Sequence, residues 1–291
     1  PPPPRDPTRL VNTDCGFRRP GACGCGYEWI DTTSPRPWSS KAPPVVFSNG
    51  RLPFLGEFGG LGLALAGSRG AAVAQTTILG FGSLLSEQSS RLTFPDLENF
   101  RLVRVPNYRR LMQHPASIFF QRGIADPQKK NWCSLSAEPC PGASFVACAF
   151  EVAFEGEQRA AYELREEEFQ VVSAPYVTLD GAPAGEGLLC AQWTDEGYRE
   201  KYGDAVYEER YGKYGVQQIW GWPRDCGATP CPVYLRHCVL AAEKAGRVAS
   251  DSFLDETWLV DRETTVRAFL ATHPEVMATR PPPELVGRYS G

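Results

Sequence analysis

Hydrophobic and polar positions divide the chain near residue 75. Before that point prolines and glycines recur, and the apolar residues follow neither a helical nor a strand period. We therefore expect residues 1–74 to form an extension with little secondary structure of its own. It contains Trp29, Trp38 and Phe47, large aromatic residues that are uncommon in a free tail. We expect the extension to lie along a surface, either of its own domain or of a protein partner.

From Gln75 onward, short apolar segments rich in β-branched and aromatic residues predict strands. The predicted strands cover residues 76–81, 100–111, 117–121, 144–154, 171–179 and 188–193. The first of them runs directly into a glycine-containing loop.

Longer segments free of glycine and proline predict helices. One covers Glu155–Phe169 after its Gly156, and a second begins at Asp195 as a helix N-cap. A third covers Pro232–Lys244 and is ended by Gly246. A last helix is predicted to start at Asp261 or Glu263 and to end near His273.

Strands dominate residues 75–193 and helices dominate residues 194–291. This order predicts an α+β fold rather than an alternating doubly wound sheet. We expect a core domain over residues 75–193 and a helical C-terminal extension packed on it over residues 194–291.

Composition narrows the classes of function. The 291 residues carry a net charge of −4 and show no basic stripe, so no nucleic-acid partner is expected. The apolar run Gly59–Gly67 is too short and too rich in glycine to predict a transmembrane segment. A linker or partner-contact segment is the favoured interpretation of that run, and the remnant of a targeting element is the alternative. An organellar location, with the chloroplast as the candidate compartment, is set against a cytoplasmic one.

The cysteines do not predict a metal site. Ten are spread along the chain, none forms a Cys-x-x-Cys pair, and only three histidines accompany them. We expect reduced buried thiols, together with one N-terminal disulfide among Cys15, Cys23 and Cys25 whose state stays open.

The segment Gly80-Phe81-Gly82-Ser83-Leu84 indicates a strand that ends in an anion-binding loop. Glycines permit backbone conformations that other residues resist, and amides exposed after a strand can hold a carboxylate or an oxyanion. Ser83 adds a hydroxyl donor. The alternative is a tight turn that only closes a hairpin. The third glycine of a dinucleotide-binding motif and the lysine of a phosphate-binding loop are both missing.

A second candidate segment is Arg165–Phe169, at the acidic end of the predicted helix Glu155–Phe169. Tyr162, Glu166 and Phe169 share one helical row, so Glu166 is flanked by aromatic rings and partly desolvated, which favours a general base. Arg165 would oppose that effect if it pairs with the carboxylate. Glu168 shares a row with Leu164, so the assignment is not unique.

Together, these segments resemble the γ-glutamylcyclotransferase-like family, whose hallmark is a Tyr-Gly-Ser loop plus one essential glutamate. The resemblance covers residues 76–177, from the strand before the loop to the strand after the Arg-Glu helix. Residues from Leu188 to the end are similar to the extended C-terminal part of plant and algal members. The resemblance implies a small mixed β-barrel or sheet with packed helices.

By position, the resemblance implies that Gly82–Leu84 form the substrate loop and that Glu166 is the catalytic glutamate. Phe81 and Phe169 stand near positions where the family has tyrosines, so two hydroxyls are missing from the substrate site. The implied substrate is a γ-glutamyl amide or peptide that is cyclised to 5-oxoproline. This reaction needs neither a metal nor another cofactor.

Two other interpretations stay open. A Cys/His nucleophile is weakly supported, because His237 and Cys238 are adjacent and would point different ways on a helix. The stronger alternative is a non-catalytic member of the fold that serves as a structural or binding subunit. Residues 1–74 and the tail Pro281–Gly291 would then contact protein partners. The aromatic run from Tyr207 to Trp222 would be either a contact surface or internal packing.

Overall fold

The computed structural model describes residues 75–153 and 156–291. The predicted extension, including Gly59–Gly67 and the cysteines Cys15, Cys23 and Cys25, lies outside the described residues. Within them, the predicted α+β class is confirmed by a six-stranded sheet with several helices.

The described strands are β1 (Gln75–Gly80), β2 (Glu98–Pro115), β3 (Cys133–Ala153), β4 (Gln170–Val177), β5 (Pro183–Ala191) and β6 (Thr257–Leu259). Five of them pair in a closed circuit. β1 lies antiparallel to β3 and parallel to β5, β5 pairs antiparallel with β4, and β4 contacts β2, which pairs antiparallel with β3. Because closure removes sheet edges and encloses inward side chains, the result is a small barrel. β6 extends β2 as a parallel neighbour.

The long antiparallel pair of β2 and β3 bends near its middle. Its register shifts between Pro106 and Tyr108, where Asn107 adopts a φ of 61°. The Asn107 side-chain oxygen accepts the N–H of Gly142 at 3.1 Å and so fixes the bend from the partner strand. Such a bulge increases strand twist and redirects the chain beyond it.

The described helices are α1 (Glu87–Arg91), α2 (Ser117–Gln121), α3 (Gly156–Arg165), α4 (Asp195–Tyr202), α5 (Asp204–Arg210), α6 (Pro232–Lys244), α7 (Arg247–Asp255), α8 (Val266–Thr272) and α9 (Glu275–Ala278). Barrel and helices share one hydrophobic core. Ile78, Phe145 and Phe150 from the strands and Leu235 and Phe253 from the helices are all fully buried in it. The bounds predicted for α6 are confirmed, since proline at the first helical position starts it.

The prediction of a strand over Ser117–Gln121 is wrong, because this segment forms α2. A short apolar run has no periodicity that separates a buried strand from a buried helical turn. Here a tertiary contact favours the helix, because its first N–H donates to the distant carboxylate of Glu168 at 3.1 Å.

The predicted start of α4 at Asp195 is confirmed, but its N-cap is Thr194 rather than Asp195, because the Thr194 hydroxyl accepts the Gly197 N–H at 3.0 Å. Asp195 instead accepts the backbone N–H of Trp220 at 2.9 Å. The helix expected from Asp261 begins at Val266 and is followed by α9.

The aromatic run serves internal packing. Tyr207, Tyr211 and Trp220 are buried, so the contact-surface interpretation is wrong for them. The tail Pro281–Gly291 includes a 3₁₀ turn, and its Tyr289 is buried against the molecule's own core.

No helix among the described residues has both the length and the apolar character needed to cross a bilayer. Within residues 75–153 and 156–291, no group of three His, Cys, Asp or Glu side chains is arranged to hold a metal ion.

Candidate functional site

Both segments singled out from the sequence line one open cavity of about 710 Å³. Gly80–Leu84 forms part of its wall, and Arg165–Phe169 forms another part. Residues of α2 and α6 and the segment Gly287–Tyr289 complete the lining. A volume of this size suits a small organic ligand.

Steric fit explains the glycines of the loop. A Cβ at Gly80 would lie 2.7 Å from the Cβ of Leu84 and 2.8 Å from the Sγ of Cys148. A Cβ at Gly82 would lie 3.0 Å from the Tyr234 hydroxyl. At Gly80 neither neighbour can move without disturbing the core, so the close approach of the loop backbone requires glycine there. At Gly82 the contact is tight but involves the end of the Tyr234 side chain.

After Gly82 the chain turns into a 3₁₀ turn, Ser83–Leu85, closed by the Leu85 N–H donating to the Gly82 carbonyl at 3.0 Å. The first N–H groups of a helical turn have no acceptor within the turn. Those of Ser83 and Leu84 are therefore the donors that this loop can offer to a ligand.

A buried arginine holds the loop from behind. Arg110 on β2 is fully buried, and its guanidinium donates to the carbonyl of Val146 at 3.0 Å and to that of Phe81 at 3.4 Å. It also donates to the Ser252 hydroxyl of α7 at 3.0 Å. Burial lowers the pKa of Arg110 to about 9, which still leaves it charged at neutral pH.

Arg165, the last residue of α3, ties the two walls of the cavity together. Its Nε donates to the Glu166 carboxylate at 2.9 Å, while a terminal nitrogen donates to the Ser83 hydroxyl at 3.3 Å. The other terminal nitrogen bonds the Thr93 hydroxyl. The acidic segment is thereby fixed to the glycine loop 82 residues earlier in the chain.

Glu166 lies one residue beyond α3, with its N–H still bonded to the Tyr162 carbonyl at 2.9 Å. One carboxylate oxygen pairs with Arg165, and the other lies 3.5 Å from the Sγ of Cys190. The pairing that was open in the sequence is therefore present. Glu166 lines the cavity, which is where a general base acting on a bound ligand has to lie.

Glu167 and Glu168 are buried in the same cavity wall. Glu167 lies 3.7 Å from Arg210 and 3.5 Å from the Ser117 hydroxyl. Burial raises the pKa of Glu167, and Arg210 opposes that rise. The predicted row of Glu168 with Leu164 is wrong, because the helix ends between them and Leu164 remains 64% exposed.

Glu168 lies in a different environment from Glu166. It accepts the Ser117 N–H at 3.1 Å, and its other oxygen lies 3.4 Å from the Nε2 of His114. Burial, reinforced by the charge of Glu166, raises the pKa of Glu168 to about 8. Burial lowers the pKa of His114 to about 3, so the imidazole next to Glu168 is neutral.

The two phenylalanines that stand near expected tyrosines have different surroundings. Both line the cavity. The Phe81 ring packs edge-on against Phe145 with centroids 5.6 Å apart, and the Phe169 ring contacts His114 at 5.0 Å. The hydroxyl of Tyr234 on α6, which lies beside Gly82, brings a phenolic group to the loop from another part of the chain.

Cys190 and Cys238 do not supply an activated thiolate. Cys190 lines the cavity, and burial raises its pKa well above the ordinary value. Cys238 is buried on α6, and its pKa is raised to about 12 by burial. His237 lines the cavity, but its Nδ1 accepts the Gly291 N–H at 2.8 Å, and burial is the main cause that lowers its pKa to about 4. A nucleophilic cysteine needs the opposite shift.

Sequence reasoning missed Tyr234, Ser117, His114 and Arg210 as residues around the site. Tyr234 and His237 are three positions apart on one helix face, which was the only local signal available. His114 lies at the end of β2 and Ser117 begins α2, and only the tertiary contact with Glu168 shows their relevance.

No family model and no curated protein matches the chain. Solved structures that align with it include a γ-glutamyl cyclotransferase, at 11% identity and a TM-score of 0.31, covering 54% of this chain and 94% of that one. An uncharacterised human protein aligns at 11% identity and a TM-score of 0.32, covering 51% and 91%. An Arabidopsis thaliana protein aligns at 10% identity and 0.29, covering 49% and 83%. At such TM-scores the likeness assigns neither a family nor an activity to this chain.

Proposed function

We propose that the chain is a cofactor-free cyclotransferase that releases 5-oxoproline from a γ-glutamyl amide or peptide. The observation that carries the proposal is the shared cavity: Glu166 and the Gly82–Leu84 loop line it together, and Arg165 bonds both. An acceptor and a set of backbone donors then face the same ligand.

The substrate is oriented by its charged ends. The amides of Ser83 and Leu84 bind either its α-carboxylate or the oxyanion that develops on the γ-carbonyl. Glu166 accepts a proton from the α-ammonium group, and the free amine attacks the γ-carbonyl carbon. Ring closure is intramolecular, so the protein contributes mainly orientation and proton transfer.

Glu166 later returns its proton to the departing amine. The ring nitrogen still carries one surplus proton, which Glu166 accepts and passes to the released amine. The products are then 5-oxoproline and an ammonium ion, and the carboxylate is restored. The departures at Phe81 and Phe169 remove two hydroxyls from the wall, and the phenol of Tyr234 supports substrate binding near the loop instead.

The test is release of 5-oxoproline from a panel of γ-glutamyl peptides and γ-glutamyl amines. Glu166→Gln keeps the size of the side chain and should lower kcat by on the order of 10²–10⁴. Glu163→Gln is the matched control, since Glu163 is exposed on α3 and pairs only with Arg159 among its described contacts. It should retain wild-type rates.

Absence of turnover by the wild type on every substrate of the panel would overturn the proposal. That result would favour the alternative, in which the chain is a non-catalytic subunit that uses the same fold to bind protein partners.

A further inference from the structure

We propose that Glu168 is a second catalytic carboxyl, which protonates the leaving nitrogen while Glu166 serves the attacking amine. This inference rests on the proposed cyclotransferase function and divides its proton transfers between two side chains.

The three carboxyls of the cavity differ in their cationic partners. Glu166 is bound by Arg165 at 2.9 Å, and Glu167 lies 3.7 Å from Arg210. Among the described residues, no Lys or Arg forms an ion pair with Glu168, whose basic neighbour is the neutral His114. The Ser117 N–H, the Tyr211 side chain and the charge of Arg210 lower the pKa of Glu168, but burial and the charge of Glu166 outweigh them and favour the protonated form.

The contacts of Glu168 fit a proton donor. One oxygen is used by the Ser117 N–H at 3.1 Å, and the second lies 3.4 Å from His114 Nε2. The ring of His114 stacks on Trp220 with centroids 4.3 Å apart, which fixes the imidazole next to the carboxyl. With a pKa raised to about 8, Glu168 still holds its proton at neutral pH.

Two carboxyls whose environments separate their protonation states can act as base and acid in one reaction. Here the separation follows from partners on different elements. Glu166 forms an ion pair with Arg165, its neighbour in sequence, whereas Glu168 faces the end of β2 and the start of α2.

The proton transfers balance. Glu166 takes one proton from the α-ammonium, and the amine forms the ring C–N bond at the γ-carbonyl carbon. As the bond to the leaving nitrogen breaks, Glu168 donates its proton to that nitrogen. The carbonyl reforms, and the ring nitrogen gives its surplus proton to Glu168. The released amine then takes the proton held by Glu166, so both carboxyls return to their starting states.

The decisive experiment varies the leaving group. An alkylamine leaves only when its nitrogen is protonated, whereas p-nitroaniline needs much less help from an acid. Glu168→Gln should therefore lower kcat on a γ-glutamyl alkylamide by on the order of 10² or more. On γ-glutamyl-p-nitroanilide the loss should be only several-fold. Glutamine keeps an oxygen for the Ser117 N–H, and Glu163→Gln is again the control.

An equal loss on both substrates would overturn the inference, because a merely structural role of Glu168 does not depend on the leaving group. If the wild type releases no 5-oxoproline at all, the proposed function fails and the inference falls with it. If the wild type is active and Glu168→Gln is unimpaired, only the inference fails.

A measurement on the wild type covers the case in which Glu168→Gln does not fold. The rate on the alkylamide should fall as the pH rises through about 8, while the rate on the anilide should not follow it. Identical pH profiles for the two substrates would contradict a proton donated by Glu168.

Discussion

The two walls of the cavity are specified in different ways. Gly80–Leu84 has local determinants that a sequence displays: the strand before it, the 3₁₀ turn after it and the lack of room for a Cβ at Gly80. Arg110 and Cys148 from other strands add to them. The acidic segment Arg165–Phe169 owes its shape to distant partners. Arg165 reaches Ser83, and Glu168 reaches His114 and the start of α2.

Such a loop can therefore be recognised from the sequence more readily than a carboxyl whose properties depend on tertiary contacts. A loop fixed by sterics shows itself as glycines at set positions after an apolar strand. A carboxyl tuned by tertiary partners shows only as one acidic residue among several, because its properties depend on what the fold places beside it.

The largest effect on stability should come from a substitution in the Gly80–Leu84 segment. Gly80→Ala places a Cβ within 2.8 Å of both Leu84 and Cys148, neither of which can move without disturbing the core. We expect a loss of about 1–3 kcal/mol in the free energy of unfolding, measured by urea denaturation. The control is Gly287→Ala, where a Cβ would meet nothing within 4 Å, and where the change should stay within about 0.5 kcal/mol. Equal effects of the two substitutions would show that the loop is not sterically specified.

The next effect concerns Glu168 in the acidic segment and the pH dependence of the free energy of unfolding. Glu168 has an ordinary pKa of 4.5 when unfolded and about 8 when folded. Between these values the folded state holds a proton that the unfolded state has released, so the free energy of unfolding falls as the pH rises and levels off above about 8. This contribution is fully present below 4.5.

In the interval from pH 6.5 to 8 the comparison with Glu168→Gln separates this contribution from that of Glu167, whose pKa is also raised by burial. His114 and His237 have lowered pKa values and destabilise the fold only as the pH drops below 6.5. In urea titrations the wild type should lose about 2 kcal/mol across the interval, and Glu168→Gln should be flat there by comparison. A slope unchanged in the variant would show that Glu168 is not the protonated group.

A smaller effect tests the tie between the walls. Arg165→Gln removes the contacts to Glu166, Ser83 and Thr93, of which the side chains are only partly buried. We expect the free energy of unfolding to fall by about 1 kcal/mol. We also expect KM for γ-glutamyl substrates to rise by a factor that, expressed as a free energy, exceeds this loss. The double variant Arg165→Gln with Ser83→Ala should cost less than the sum of the two single changes, because both remove the same hydrogen bond.

The fold was predictable where one residue type decided an element. Pro232 and Gly246 bound α6, and the apolar run before Gly80 gave β1 almost to the residue. It was not predictable at Ser117–Gln121, where the partner of the first N–H lies 51 residues further along the chain. The helix cap at Thr194 was missed because Asp195 is an equally good cap in isolation.

The same contrast holds for the site. That Glu166 and the glycine loop line one cavity agrees with the pairing inferred from the sequence. The environment of Glu168 depends on Ser117, His114 and Trp220, which approach from elements that no local pattern connects.

Whether two remote segments bind one ligand is decided by a crystal structure of Glu166→Gln with a bound γ-glutamyl dipeptide. We expect the glutamyl carboxylate or γ-carbonyl at hydrogen-bond distance from the amides of Ser83 and Leu84, with the α-amine beside residue 166. A dipeptide bound elsewhere on the protein, or a cavity that stays empty at saturating ligand, would contradict it.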